Sequence, residues 1–172
     1  MTFELIVRIL ADYSVFAVVL IGAYALLLKV PKGSRYQAYT RVLMAGLTAY
    51  LLAKFIATLY QPSTMRPFEI LGVEAGASFL NNPGFPSDHA LFVMAIAWAV
   101  WFETKNRLLG LLVFSLVILV GVGRVLALVH TPLDVIGGVA IASLGALWYI
   151  QKPGGEKRKT WRKRLSRTTT LS

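Results

Sequence analysis

Residues 107–128 read RLLGLLVFSLVILVGVGRVLAL, an apolar run whose charged side chains are Arg107 at its start and Arg124 near its end. A helix rises about 1.5 Å per residue and needs about 20 apolar residues to cross roughly 30 Å of hydrocarbon. The run is long enough for that distance, so it predicts a helix that spans a membrane.

Further apolar stretches follow the same pattern at 4–28, 40–60, 89–103 and 132–151. Together the five stretches predict an all-α integral membrane bundle of about five transmembrane helices. The stretch at 89–103 is the shortest, because its uncharged part extends only about 21 Å as a helix. A helix that stops short of the surface indicates a polar pocket sunk into the outer leaflet. Between the second and third stretches, residues 68–73 predict a short amphipathic segment along the interface.

The composition agrees with a membrane protein and excludes several kinds of site. Hydrophobic residues make up 56% of the 172 residues and charged residues only 15%, with a mean hydropathy of +0.64. Soluble domains usually carry roughly a quarter charged residues, which argues against a soluble globule. The chain has no cysteine, which excludes a disulfide framework, an iron–sulfur cluster and a thiolate zinc site.

Basic residues are concentrated in a few segments of the chain. The formal net charge is +10, and eight of the 18 lysines and arginines follow residue 151. We therefore divide the chain into a membrane-embedded domain, residues 1–151, and a basic tail, residues 152–172, expected to be disordered and cytoplasmic. The tail is interpreted first as a topology signal and second as a contact with anionic lipid headgroups. Nucleic-acid binding is not expected, because it would leave five apolar spans unexplained.

The connections at 29–41 and 103–107 are also basic, and cytoplasmic loops are rich in lysine and arginine. This asymmetry predicts an N-terminus outside the cell membrane and a cytoplasmic C-terminus. The first stretch is not expected to be a cleaved signal peptide, because Glu4 takes the place of a basic start and no small-residue cleavage site follows. The sequence makes no prediction of oligomeric state.

The chemistry-bearing residues gather at the predicted outer ends of the spans. The chain has two histidines, His89 and His130, and both fall there. Charged and imidazole groups near membrane depth are costly, so each is a functional candidate. The same level also holds four charged residues: Arg66, Arg124, Asp88 and Asp134.

The first cluster is Phe85-Pro86-Ser87-Asp88-His89. Pro86 cannot continue a preceding helix, and Ser87 is a natural N-cap for the third span. One interpretation is ordinary capping. The other is that the free N–H groups and dipole of the helix start face an anion, with His89 beside it.

The second cluster runs from Arg124 through His130 to Asp134. Thr131 can N-cap the last span with Pro132 at its first position, and Asp134 would complete a capping box. Alternatively, Asp134 accepts a hydrogen bond from one nitrogen of His130 and leaves the other nitrogen as a nucleophile. Arg124 would then offer a fork of donors to phosphate.

A third cluster is Arg66-Pro67-Phe68, preceded by Lys54. Together the three clusters resemble the type 2 phosphatidic acid phosphatase family of membrane enzymes. The family signature is a lysine followed by Arg-Pro, then Pro-Ser-x-His, then Arg-x5-His-x3-Asp. The second and third parts match in order and spacing, but eleven residues separate Lys54 from Arg66, where the family usually has six.

The resemblance implies a division of roles. His130 would attack phosphorus and form a phosphohistidine, and Asp134 would orient it. His89 would protonate the leaving oxygen and then activate water. Four side chains would hold the phosphate oxygens: Arg66, Arg124, Ser87 and Lys54. No cofactor or metal is expected, and the carboxylates Glu69, Glu74, Asp88 and Asp134 are not arranged as a magnesium cage.

The segment at 77–89 looks most like bacterial undecaprenyl-diphosphatases, so the expected substrate is a polyprenyl diphosphate. Phosphatidic acid and phosphatidylglycerol phosphate are the alternatives. A different class is a non-enzymatic channel or transporter subunit, with Arg8, Asp12 and Lys54 lining a path. However, Arg8 and Asp12 are one helical turn apart, which predicts a local ion pair instead.

Overall fold

A computed structural model describes residues 2–82 and 84–150 of the protein, and all regular structure in this part is helical. The predicted all-α class is therefore confirmed for the described residues. We number the six helices α1 Phe3–Lys29, α2 Arg35–Leu59, α3 Pro67–Leu71, α4 Asp88–Glu103, α5 Arg107–Leu126 and α6 Pro132–Gly145. A 3₁₀ turn, Ala146–Tyr149, extends α6.

Four helical segments in the described part are long and apolar enough to cross a membrane: Phe3–Lys29, Lys32–Leu59, Arg107–Leu126 and Pro132–Tyr149. The protein is therefore a membrane protein. Helix α4 has 16 residues and extends about 24 Å, so it is shorter than these four. It lies at the centre of the bundle, where it packs against α1, α2, α5 and α6. Five spans thus remain a prediction, with four supported by length.

Small residues let the helices approach closely, as is common where hydrocarbon surrounds the bundle. The buried residues of α2 are all alanines: Ala38, Ala45, Ala49 and Ala53. Gly145 of α6 lies against this face, and a Cβ there would come within 2.6 Å of the carbonyl oxygen of Ala45. A larger side chain at position 145 would force α2 and α6 apart.

Two more close approaches lie near the end of the bundle that carries both histidines. A Cβ on Gly123 of α5 would lie 2.5 Å from the backbone nitrogen of Ala11, so α5 packs directly on α1. A Cβ on Gly138 of α6 would lie 2.6 Å from the carbonyl oxygen of Ser87. These contacts bring the start of α4 and the first third of α1 to the same end as the turn between α5 and α6.

Helix α1 is not regular where it meets this end. Residues Ile9–Tyr13 form a π-helical turn, and the Ser14 hydroxyl donates a 3.2 Å hydrogen bond to the Ile9 carbonyl. Such turns occur mostly as local insertions in α-helices, frequently at functional sites. This turn carries Asp12 on the side of α1 that faces α5.

The long connection between α2 and α4 folds over the same end. Phe68 donates its N–H to the Leu128 carbonyl at 3.0 Å, and Gly76 donates to the Ala127 carbonyl at 3.0 Å. The predicted segment at 68–73 begins as helix α3 and ends at Gly72, which has a left-handed φ of 65°. The connection is thereby fixed to the turn between α5 and α6.

The opposite end of the bundle holds a partly buried ion pair. Arg41 of α2 donates from Nε and Nη2 to the two carboxylate oxygens of Glu103, each at 2.7 Å. The predicted division at residue 151 and the predicted basic tail, residues 152–172, lie outside the described residues.

Candidate active site

The turn between α5 and α6 is built around a capping box. The Thr131 hydroxyl accepts the Asp134 N–H at 3.2 Å, and Asp134 Oδ2 accepts the Thr131 N–H at 2.7 Å. The capping interpretation of Thr131 and Asp134 is therefore confirmed. Leu128 has a left-handed φ of 58°, which reverses the chain just before His130.

The same carboxylate lies beside His130. The distance from His130 Nδ1 to Asp134 Oδ2 is 3.6 Å, and the two side chains are only 5% and 7% exposed. Nδ1 has no hydrogen-bond partner within the described part of the chain. The predicted pair is thus adjacent, at ion-pair distance and slightly beyond hydrogen-bond distance.

Burial lowers the pKa of His130 below its ordinary value. Arg124 and Arg66 lower this pKa further, while the neighbouring Asp134 raises it. Because the net shift is downward, the imidazole is neutral at neutral pH. A neutral ring held near a carboxylate through Nδ1 has its Nε2 lone pair available for attack.

Arg124 is the largest fully buried side chain described, with 0% exposure. Its Nη1 donates to Asp12 Oδ1 at 3.1 Å. Its Nε and Nη2 have no partner among residues 2–82 and 84–150. A buried cation needs a compensating charge, and Asp12 supplies it while one edge of the guanidinium stays unpaired.

Arg66 holds three segments together at this end. Its Nη1 donates to the Val129 carbonyl at 2.6 Å. Its Nη2 donates to the Leu80 carbonyl at 2.9 Å, to the Asn82 carbonyl at 3.1 Å and to the Asn82 side-chain oxygen at 3.0 Å. Burial lowers the pKa of Arg66, an effect that Glu69, Asp134 and Asp88 oppose.

Ser87 caps α4, as the capping interpretation predicts. Its hydroxyl accepts the Ala90 N–H at 3.4 Å, and its own N–H donates to the Asp134 carbonyl at 2.9 Å. Ser87 is fully buried and joins the first turns of α4 and α6. Its hydroxyl does not line the cavity described below, so its role toward phosphate stays a prediction.

Lys54 reaches the start of α4 despite the irregular spacing of the first cluster. Its Nζ lies 3.0 Å from Asp88 Oδ1 and 3.2 Å from Asp88 Oδ2. Asn82 Nδ2 donates to the same carboxylate at 2.9 Å. Lys54 is therefore adjacent to the site through Asp88, and its role as a phosphate ligand also stays a prediction.

A small cavity lies where these elements meet, and it brings four of the predicted site residues together. Its lining consists of Arg66, Leu80, Asn82, Pro86, Asp88, His89, Arg124 and His130. Two imidazoles and two guanidiniums, contributed by helices α4 and α5 and by two connections, thus face one space. In the described part of the chain, no three His, Asp or Glu side chains cluster as a metal site.

Sequence reasoning did not assign Asp12 to this site and predicted the wrong ion-pair partner for it. The predicted local ion pair of Arg8 with Asp12 is wrong, because Asp12 pairs with Arg124, 112 residues away. The signal was present in the sequence as a carboxylate inside an apolar stretch. The contacts of Ser78 with Asp12 and of Asn82 with Arg66 and Asp88 come from a connection that has no regular pattern.

Comparison with known families matches residues 36–158 to the PAP2 superfamily, a range that includes all seven predicted site residues. The chain belongs to the PAP2 superfamily. The predicted resemblance is therefore confirmed at the level of the family.

Two curated relatives are similar over most of the chain. The undecaprenyl-diphosphatase BcrC of Bacillus subtilis (strain 168) is 36% identical over 129 residues, which cover 71% of this chain and 63% of that protein. The bacitracin transport permease protein BcrC of Bacillus licheniformis is 28% identical over 144 residues, which cover 83% and 68% respectively. The chain thus spans less than two thirds of the first relative's length. No solved structure gives a significant match.

Proposed function

We propose that this protein is a membrane lipid phosphatase that hydrolyses a polyprenyl diphosphate, of the undecaprenyl class, to the monophosphate and inorganic phosphate. The observation that carries this proposal is the cavity shared by His89, His130, Arg66 and Arg124 at one end of an apolar helical bundle. Membership of the PAP2 superfamily and the similarity to an undecaprenyl-diphosphatase support the same reaction.

In the first step, Nε2 of neutral His130 attacks the terminal phosphorus, and a nitrogen–phosphorus bond forms. The bond from phosphorus to the bridging oxygen breaks, and His89, which becomes protonated when the negative charge of the bound diphosphate lies beside it, donates its proton to that oxygen. The products of this step are the lipid monophosphate and a phosphohistidine. The lowered pKa of His130 supports its role, because the attacking ring must be unprotonated.

In the second step, a water molecule attacks the phosphohistidine, and the now neutral His89 accepts a proton from it. The nitrogen–phosphorus bond breaks, inorganic phosphate leaves, and both rings return to their starting states. Asp134 stabilises the positive charge that His130 carries while it is bonded to phosphorus, from 3.6 Å away.

Phosphoryl transfer places negative charge on three equatorial oxygens, so catalysis depends on cations and N–H donors fixed around them. The free Nε and Nη2 of Arg124 and the N-terminus of α4 supply such donors. Arg66 would contribute by exchanging a carbonyl partner for a phosphate oxygen, and Ser87 and Lys54 would act from beside the cavity.

The same proposal includes the orientation. The end opposite the cavity carries most of the described basic residues: Lys29, Lys32, Arg35, Arg41, Lys105 and Arg107. This supports a five-helix bundle in the cell membrane with a cytoplasmic C-terminus and a cavity facing outward. A lipid headgroup would then enter sideways from the outer leaflet, and the basic tail would serve as a topology signal or contact anionic lipids.

A second candidate is a transport function, which the similarity to the bacitracin transport permease protein of Bacillus licheniformis favours. Phosphate release from a panel of substrates in detergent separates the candidates. The panel contains undecaprenyl diphosphate, phosphatidic acid and phosphatidylglycerol phosphate. We expect fastest release from the diphosphate and none from the His130→Ala variant. Fastest release from a glycerolipid phosphate would change the substrate, and no release from any member would favour the transport function.

A further inference from the structure

The geometry points to Asp12 as a positioning residue for phosphate binding: it holds Arg124 by Nη1 and thereby keeps the Nε–Nη2 edge available for two phosphate oxygens. This inference rests on the proposed function. It adds to that function a residue from α1, which lies outside the matched family range of 36–158.

The hydrogen-bond partners of the guanidinium support this assignment. Nε–H and one N–H of Nη2 point in parallel from the same edge, with a spacing that matches two oxygens of a phosphate. On Arg124 this edge has no partner in the described structure, although the side chain is completely buried and lines the cavity. Buried donors are almost always satisfied, so their lack of partners indicates a ligand.

Asp12 is itself held by a second segment. The Ser78 hydroxyl donates to Asp12 Oδ1 at 2.8 Å, and the Ser78 N–H donates to Oδ2 at 3.0 Å. With the bond from Arg124, three donors fix this carboxylate. The carboxylate therefore cannot turn away from Arg124 without breaking its hydrogen bonds to Ser78, in the connection between α2 and α4.

Backbone packing keeps Asp12 and Arg124 within hydrogen-bond distance of each other, at 3.1 Å. Gly123 packs against the backbone of Ala11, so the residues that follow each of them are brought face to face. The π-helical turn Ile9–Tyr13 places Asp12 at the contact. A shift of about 1 Å in a positioning group can cost on the order of 100-fold in rate, so this support matters for the reaction.

In the Arg41–Glu103 pair at the other end of the bundle, the bidentate edge of the guanidinium is fully paired. There Nε and Nη2 both donate to the carboxylate at 2.7 Å. In the pair of Arg124 with Asp12, the carboxylate contacts only Nη1. Asp12 thus compensates the charge of the buried arginine and leaves its bidentate edge free.

The test compares Asp12→Asn, Asp12→Glu and Ser78→Ala with Glu103→Gln as a matched control. Inorganic phosphate binding to the purified full chain in detergent is measured by calorimetry, together with kcat and KM for undecaprenyl diphosphate and Tm. We expect Asp12→Asn to weaken phosphate binding and lower kcat/KM by about 10- to 100-fold. Asp12→Glu should restore part of both, and Ser78→Ala should cause a smaller loss of the same kind. Glu103→Gln should lower Tm without weakening phosphate binding.

Wild-type phosphate affinity and kcat/KM in Asp12→Asn would overturn the inference. An equal loss of phosphate affinity in Glu103→Gln would also overturn it, because the effect would then follow stability alone. If the wild type releases no phosphate from lipids but binds inorganic phosphate, and Asp12→Asn weakens that binding, the proposed function fails and the positioning role stands. If the wild type neither binds inorganic phosphate nor releases it from a lipid, both fail.

Discussion

The two ends of the bundle each hold an arginine–carboxylate pair, and the pairs differ in what they leave free. At one end, Arg41 closes its bidentate edge on Glu103. At the other, Arg124 is more deeply buried but uses only Nη1 for Asp12. The Arg41–Glu103 pair, in which both edge donors are bonded, stabilises the packing of α2 on α4. The Arg124–Asp12 pair leaves a charge and two donors available to an anion, at some cost to stability.

The largest expected effect that distinguishes the two ends comes from replacing each arginine by lysine. An ammonium cannot present two parallel donors, so Arg124→Lys should lower kcat/KM for the lipid diphosphate by about 100- to 1000-fold. Arg41→Lys should lower Tm while kcat/KM stays within about twofold of wild type. Steady-state phosphate release and thermal unfolding in detergent measure the two quantities. Equal losses of activity in the two variants would remove the difference between the ends.

The titration of His130 tests the electrostatics of the end of the bundle that carries the cavity. The chain has two histidines, so His89→Gln leaves His130 as the sole imidazole, and its pKa can be followed by NMR of histidine-labelled protein. We expect a pKa below about 6.5, the ordinary value. Because Arg66 lowers this pKa, adding Arg66→Gln should move it upward.

The control is Arg41→Gln, at the opposite end of the bundle. Added to His89→Gln in place of Arg66→Gln, it should leave the pKa of His130 unchanged. In the wild type, kcat/KM should fall as the pH drops through this lowered pKa, because His130 becomes protonated and cannot attack. A pKa of His130 above the ordinary value would contradict the assignment of the attacking ring.

Two glycines allow the packing at each end to be tested separately. A Cβ at Gly123 would meet the backbone of Ala11, and a Cβ at Gly145 would meet the carbonyl of Ala45. Overpacking of this kind usually destabilises by about 1–3 kcal/mol, so both alanine variants should have a lower Tm. Only Gly123→Ala should also weaken inorganic phosphate binding, by about tenfold, because it separates Arg124 from Asp12. Unchanged phosphate binding in Gly123→Ala would argue against the role of this contact.

The smallest expected effect is that of Lys54→Ala. Lys54 is 42% exposed and pairs with Asp88, and exposed ion pairs contribute about 0–1 kcal/mol. We therefore expect kcat/KM to fall by no more than about fivefold, as measured by phosphate release. A loss as large as that of Arg124→Lys would instead place Lys54 among the phosphate ligands.

Hydropathy and local motifs predicted much of this molecule. The apolar stretch at 4–28 corresponds to α1, Phe3–Lys29, and that at 107–128 to α5, Arg107–Leu126. The starts of α4 and α6 could also be predicted from the sequence, because Ser87 and Thr131 cap them through local hydrogen bonds. Such features depend on residues a few positions apart, and the sequence shows them directly.

The pairing of Asp12 could not be predicted in the same way. On a regular helix, a carboxylate four residues after Arg8 lies beside it, so the spacing predicts a local ion pair. The π-helical turn and the close contact of Gly123 with Ala11 decide otherwise, and both depend on tertiary packing. The contacts of Ser78 and Asn82 likewise depend on how an irregular connection folds over the bundle.

The most direct test of the proposed reaction is to find where phosphate is bound during turnover. The purified protein is mixed with undecaprenyl diphosphate labelled in its terminal phosphate, quenched within milliseconds under alkaline conditions, and digested for mass spectrometry. We expect an acid-labile phosphate on His130 that disappears as product forms and is absent from His130→Ala. Turnover with no phosphate on His130, or with phosphate on another residue, would contradict the reaction proposed for this cavity.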